Sequence, residues 1–308
     1  MYYVKKTTAQ KFIDDKKTKC LYIYTDSAIK HLTLNPNGVK LHINEITKNV
    51  SQIDAFLSNF NSFDEIISIG GGSVIDVGKY ISYKTNKKLS VILTMISTNA
   101  FSTDKACLIK NGKKTTLQAK TPNIVIFDKH LLKIAKDFNN LGLCDVLSIH
   151  TALFDWKLAN KYNGEKINKY YNKANKLLQK MKKFIFKNFE HLDKKLWKSF
   201  KFIEQSGIIT NKYGSGRPES GSEHIFAKEI ESKVDKVVHG LAVINGIKIM
   251  SQWQNNIDED IEKIYDMFEI QKCNKKFGIT TQLLNEISET IQPREDRFYI
   301  IDIKRGYK

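Results

Sequence analysis

Short apolar runs alternate with amphipathic stretches over the first 128 residues. CLYIYTD (20–26), VKLHIN (39–44), EIISIG (65–70), SVILTMI (90–96) and NIVIFD (123–128) have the length and β-branched content of strands. Between them, ITKNVSQIDAFLSNFNSF (46–63) and SVIDVGKYISYKTN (73–86) place apolar residues at helical spacing. Strands alternating with helices predict a parallel sheet covered on both faces. From residue 129 the pattern is helical almost throughout, in LLKIAKDF, DVLSIHTALFDWKLANKY, INKYYNKANKLLQKMKKFIFKNF, EHIFAKEIES and HGLAVINGIKIMSQW. The expected fold is therefore α/β: an N-terminal sheet domain over 1–128 and an all-helical C-terminal domain over 129–308.

Composition narrows the class. The chain has 308 residues, 41% apolar and 11% aromatic, which excludes a disordered or low-complexity protein. No apolar run approaches the roughly 20 residues of a membrane-spanning helix, and MYYVKKTTAQKF carries no signal-type apolar core. Cys20, Cys107, Cys144 and Cys273 are scattered without a CxxC pair, as in a cytoplasmic protein of a reducing compartment. The net charge of +17 is concentrated: residues 157–201 hold fourteen Lys against three acids. There, Ile167, Tyr170, Ala174, Leu177, Leu178, Met181 and Ile185 share one helical face and the lysines the other, which predicts an amphipathic helix with a solvated basic side. No base-reading module accompanies the charge, so no nucleic-acid partner is expected.

Three motifs could carry chemistry. In IISIGGGSVIDVGKY (66–80) an apolar strand runs into Gly70, Gly71 and Gly72, and a helix starts near Ser73 with Asp76 and Lys79 one turn apart. Such a turn suits either a pyrophosphate on a helix N-terminus or a tight steric junction, and it lacks the GxGxxG spacing. The segment Thr98–Asp104 follows the next strand, where polar contacts to a ligand gather in α/β sheets; Asp104 could bond substrate hydroxyls or form a local turn. Asp145, His224 and His239 would make a two-imidazole, one-carboxylate set for Zn²⁺ or Fe²⁺. The fifteen-residue spacing of the two histidines does not by itself single them out among the seven in the chain.

Taken in order, GGGSVIDVGK, STNAFSTDKACL, DVLSIHTALFDWKLA, RPESGSEHIFAKEIE and VHGLAVINGI resemble the iron- or zinc-containing alcohol dehydrogenase superfamily of dehydroquinate synthase-like fold. RPxSGxEH, the DWKLA continuation and the tail PREDRFYIIDI (293–303) are most similar to its glycerol-1-phosphate dehydrogenase branch. The likeness spans about residues 20–303, so the chain is expected to be complete. It implies a Rossmann-like dinucleotide-binding domain, a helical metal- and substrate-binding domain and ligands between them. By position, Gly70, Gly71, Gly72 and Ser73 would cradle the pyrophosphate of NAD or NADP, with Asp76 and Lys79 nearby. Thr94 and Ser97 would face the nicotinamide and Asp26 the adenosine ribose. Asp104 matches the substrate-contacting aspartate, and Asp145, His224 and His239 match the ligands of one divalent metal, zinc before iron. Lys105 stands where the branch has glycine, and the chain is shorter than most members.

The reaction implied is reduction of a small phosphorylated ketone such as dihydroxyacetone phosphate by NAD(P)H, with Arg217 and Lys105 as candidate phosphate anchors. The alternatives are a dehydroquinate synthase-like cyclase using NAD transiently, or a polyol dehydrogenase acting on an unphosphorylated substrate. A homo-oligomer is expected, as in the superfamily.

Overall fold

The computed structural model describes residues 2–43, 48–60, 62–295 and 297–306. Residue 44 of the second predicted run, residues 46, 47 and 61 of the first predicted helix and residue 296 of the tail motif lie outside these. The chain forms two compact units, Met1–Asn139 and Asn140–Lys308.

The first unit is built on strands β1 (Tyr3–Lys5), β2 (Cys20–Tyr24), β3 (Val39–His42), β4 (Glu65–Gly70), β5 (Lys88–Leu93), β6 (Lys105–Lys110), β7 (Lys113–Gln118) and β8 (Ile124–Ile126). Six of them form a parallel sheet in the order β1-β8-β5-β4-β2-β3. In β4, Ile66, Ile67, Ser68 and Ile69 are all fully buried, which is why that strand reads as a near-continuous apolar run broken only by Ser68. All five predicted strands are present. The pattern missed β1, with only three residues, and the antiparallel hairpin β6–β7. Asn111 and Gly112 turn that hairpin with φ of 52° and 74°, the left-handed pair that a two-residue turn of this kind needs. Lysines crowding both strands hide its alternation.

The helix Gly72–Thr85 lies against this sheet at one close point. A Cβ on Gly78 would stand 2.0 Å from Ser68 Oγ and 3.1 Å from Leu89 Cδ1, so only glycine fits there unshifted. Residues 129–139 are fastened to the same unit although their periodicity is helical. Asp128 accepts from His130 N and Leu131 N at one carboxylate oxygen and from Ala9 N at the other. Asn139 Oδ1 accepts from Ile96 N at 3.0 Å.

The second unit is helical, as its periodicity predicts; its main helices are Leu141–Leu147, Ile149–Asn163, Lys169–Asn188, Leu196–Tyr213, Ser222–Lys233 and His239–Trp253. The basic helix buries Ala174, Leu177, Leu178, Met181 and Ile185 as expected. Two details differ from the expected pattern. Ile167 precedes the helix and is exposed, and Lys182 turns inward, buried, to Asp258 at 2.7 Å and Asp260 at 3.0 Å. Burying a lysine requires such a partner, and neither aspartate is visible from the periodicity of the helix alone. No helix of the described residues is long and apolar enough to cross a membrane.

Gly78→Ala should cost about 1–3 kcal/mol through overpacking against β4, a drop of several degrees in melting temperature. An unchanged melting curve would mean that the helix–sheet junction gives way without cost.

Candidate functional site

The second unit brings Asp145, His224 and His239 together. Asp145 lies in the helix Leu141–Leu147, while each histidine stands in the first turn of its own helix. Two glycines let these helices approach. A Cβ on Gly240 would fall 1.8 Å from Leu141 O, and one on Gly246 would fall 2.4 Å from Glu223 O. Close backbone approach at Gly240 and Gly246 carries the helix that bears His239 against the segments that bear Asp145 and His224.

Both imidazoles direct Nε2 at one oxygen. His224 Nε2 lies 3.2 Å and His239 Nε2 3.5 Å from Asp145 Oδ1, with the rings 5.4 Å apart between centroids. One donor atom from each residue fits within a 4.8 Å span. The Nδ1 atoms have carboxylates of their own: His224 bonds Glu223 Oε1 at 2.7 Å and His239 bonds Glu231 Oε1 at 2.6 Å. Glu223 is itself fully buried and held, accepting from Gly221 N and from Thr151 Oγ1 at 2.7 Å each. A carboxylate behind each imidazole fixes Nδ1 as the donor and leaves Nε2 to face the third group, the arrangement found around metal-ligating histidines. Glu223 and Glu231 were missed in the sequence. Glu223 adjoins His224, and Glu231 lies two helical turns further along the same helix, a spacing that would have suggested them.

Charge follows geometry. Burial disfavours the Asp145 carboxylate, but hydrogen bonds from His224 and His239 outweigh it and hold the group well below the usual range. Burial likewise opposes the imidazolium of His224, yet Asp145 and Glu223 together raise it to about 9. For His239 burial is again the largest single effect, and Glu231 and Asp145 overcome it and push the group up. Three carboxylates around two imidazoles leave a site that favours positive charge.

In the first unit, β4 ends at Gly70 and Gly71 caps the helix Gly72–Thr85. The glycines have steric reasons as well: a Cβ on Gly70 would lie 2.7 Å from Val74 Cγ2, and one on Gly72 2.8 Å from Thr98 Cγ2. Ser73 is exposed at the start of the helix. Asp76 and Lys79 are turned to the protein. Lys79 is fully buried, 2.9 Å from Asp76 Oδ1, and donates to Ala100 O, Thr103 Oγ1 and Lys105 O. Asp76 Oδ2 accepts from Cys107 N. Together they tie the helix to the segment 98–107.

Thr94 follows β5, its N–H 3.4 Å from Gly70 O, and Ser97 is buried on the same loop. Asp104 and Lys105 are both partly exposed and 3.8 Å apart, at the start of β6. Asp26 begins a short helix just past β2; its carboxylate is exposed, 3.2 Å from His42 Nε2. Arg217 differs from its expected role as a phosphate anchor. It is fully buried, its guanidinium bonded to Glu165 through Nε and Nη2 and to Phe298 O. A guanidinium so engaged has little left to offer a phosphate.

Comparison with known proteins fits this geometry. The family model described as iron-containing alcohol dehydrogenase matches residues 10–135. Glycerol-1-phosphate dehydrogenase [NAD(P)+] of Sulfurisphaera tokodaii is 32% identical over 246 residues, 77% of this chain and 69% of that one. The enzyme of the same name from Pyrococcus horikoshii is 30% identical over 269 residues, 84% of this chain and 75% of that one. The chain belongs to the glycerol-1-phosphate dehydrogenase family. Solved structures agree on the fold. An iron-containing alcohol dehydrogenase from Thermotoga maritima superposes with a TM-score of 0.63 at 14% identity, covering 99% of this chain and 96% of that one. A probable glycerol dehydrogenase from Sinorhizobium meliloti gives 0.65 at 14%, covering 97% and 90%. Membership of the glycerol-1-phosphate dehydrogenase family makes the chain an NAD(P)-dependent dehydrogenase that works with a divalent metal.

The raised group on His224 has a consequence for the metal-free chain. Its imidazolium is favoured in the folded state over the unfolded value of 6.5, so its stabilisation is complete below about 6.5 and is lost as pH rises through about 9. The chelator-treated protein should lose on the order of 2–3 kcal/mol across that window, seen as a melting temperature falling by several degrees. A melting temperature that rises between pH 6.5 and 9 would contradict the assignment.

Proposed function

We propose that the chain reduces a small phosphorylated ketone, dihydroxyacetone phosphate first, to its alcohol with NADH or NADPH. The observation that carries this reading is the convergence of His224 and His239 on Asp145 with a glutamate behind each ring. These three residues would hold one divalent ion, zinc in the first instance, since two nitrogens and one oxygen are a common set for it. Bound there, the ion supplies Lewis acidity toward a substrate oxygen. Glu223 and Glu231 keep both imidazoles in the ligating tautomer and orientation. The names of the curated relatives, glycerol-1-phosphate dehydrogenase [NAD(P)+], support both the substrate and the coenzyme.

In this reading the first unit binds the dinucleotide. Gly70, Gly71, Gly72 and Ser73 take the pyrophosphate on unpaired helix N–H groups, Thr94 and Ser97 meet the nicotinamide, and Asp26 accepts from the adenosine ribose. Asp76 and Lys79 position the neighbouring loop rather than touch the coenzyme. Asp104 bonds a substrate hydroxyl and Lys105 attracts the phosphate as a point charge. Arg217 is assigned to the scaffold instead. With one expected anchor withdrawn, an unphosphorylated polyol is the second reading. The enzyme is placed in the cytoplasm as a homo-oligomer, in keeping with the scattered cysteines and the superfamily.

The test is oxidation of NADH and NADPH by the zinc-loaded protein, with dihydroxyacetone phosphate and dihydroxyacetone side by side. Turnover should strongly prefer the phosphate ester, and His224→Ala should lower kcat/KM by more than about 100-fold. Equal turnover of both ketones would favour the polyol reading. Full activity in the variant would remove the metal from the reaction.

A further inference from the structure

The tail motif RFYIID, 297–302, has no part in the reading above, yet it is fastened at three points to the loop that leads into the helix bearing His224. Arg217 donates from Nη1 and Nη2 to Phe298 O at 3.3 Å. Arg297 Nη1 donates to Ser220 O at 3.4 Å. The third point is Asp155, fully buried in the helix Ile149–Asn163, which bridges the two segments. Its Oδ2 accepts from Ser222 N at 2.7 Å, and its Oδ1 accepts from Ile300 N at 2.8 Å and from Gln254 Nε2 at 3.2 Å.

The surroundings leave this loop no freedom at its turn. A Cβ on Gly221 would meet Asp155 Oδ2 at 2.5 Å, Ala152 Cα at 2.8 Å and Glu223 Oε2 at 2.9 Å. Thr151, one turn before Asp155 on the same helix, donates to Glu223 Oε2. One helix face therefore holds both Ser222, through Asp155, and Glu223, through Thr151; His224 is the next residue. The segment 297–302 closes the other side. Tyr299 N bonds Asp302 Oδ2, the Phe298 ring stacks on Tyr162 at 5.3 Å, and the Arg217 guanidinium lies 5.2 Å over the Tyr299 ring.

We propose that Asp155 is a positioning residue and that, through it, the segment 297–302 acts as a strap setting the place of His224 at the metal site. The proposal rests on the metal reading of Asp145, His224 and His239. Asp155 reaches His224 through the backbone of Ser222 and through the charge of Glu223 beside it, so it shapes the site without itself bonding His224. Supporting groups of this kind typically change metal affinity by about 10–100-fold.

Two variants loosen the strap differently. Asp155→Asn puts an NH₂ where N–H donors point, so at least one of its hydrogen bonds is lost. Ile300→Pro removes the donor at Ile300, together with part of a buried apolar side chain, and leaves the Asp155 carboxylate in place. That residue is the first of the helix Ile300–Lys304, where proline is tolerated, and Tyr299 before it is already extended at φ −140° and ψ 171°. Thr210→Val, a buried change in the helix Leu196–Tyr213, serves as a control for general destabilisation.

The experiment is titration of each chelator-treated protein with Co²⁺ well below its melting temperature, reading the dissociation constant and the visible d–d spectrum, with His224→Ala alongside. Asp155→Asn and Ile300→Pro should each weaken Co²⁺ by about tenfold or more and alter the spectrum, while Thr210→Val changes neither. If His224→Ala abolishes binding while both strap variants match the parent in affinity and spectrum, the strap is refuted and the metal reading stands. If His224→Ala binds Co²⁺ like the parent, the metal reading falls and the strap with it. Should Asp155→Asn fail to fold, Ile300→Pro alone decides.

Discussion

One carboxylate oxygen, Asp145 Oδ1, faces the Nε2 atoms of two histidines from two other helices, and the helical unit is arranged around keeping it so. Asp145 is buried where its charge is costly. It is tolerable because both imidazoles bond to it, and Asp145 together with Glu223 and Glu231 favours their charged forms against burial. Removing any one member leaves a neighbour buried with an uncompensated charge. The same constraint explains Gly240 and Gly246, since the helices cannot come close enough with a side chain at either point. A divalent cation would meet the same carboxylate field that favours the charged imidazoles.

The sheet unit solves a different problem, the firm seating of a loop. Its helix Gly72–Thr85 is pressed onto β4 at Gly78, and Lys79 reaches from that helix to three acceptors in 100–105. A fully buried ammonium with Asp76 and three oxygens around it behaves as a cross-link. The loop that bears Asp104 is thereby fixed relative to the glycine turn. Gly70 and Gly72 combine two needs, because the neighbours Val74 and Thr98 already exclude a Cβ before any ligand is considered.

Much of this was legible in the chain. The predicted strands of the parallel sheet stood out because the central ones are apolar on both faces and the edge strand β3 alternates, and the helical half because its periodicity is long and regular. The hairpin β6–β7 was hidden by lysines, although the Asn111–Gly112 pair is the signal that marks it. The site was legible only through several motifs in order, since a fifteen-residue histidine spacing has no local meaning. What stayed hidden is where long side chains turn. Lys182, Arg217 and Lys79 are charged residues whose partners, Asp258, Glu165 and the carbonyls of 100–105, are distant in sequence. Arg217 read as a phosphate anchor because arginine suits phosphate, and burial beside Glu165 reversed that. The stretch 129–139 is helical by pattern, yet it is capped by Asp128 and bonded to the sheet unit through Asn139.

The most direct test of the central claim is the metal content of the purified chain. Protein prepared with excess divalent metal and then dialysed should retain one ion per chain, and His239→Ala prepared identically should retain none. No retained ion in the parent, or equal retention in the variant, would contradict the assignment of Asp145, His224 and His239 as its ligands.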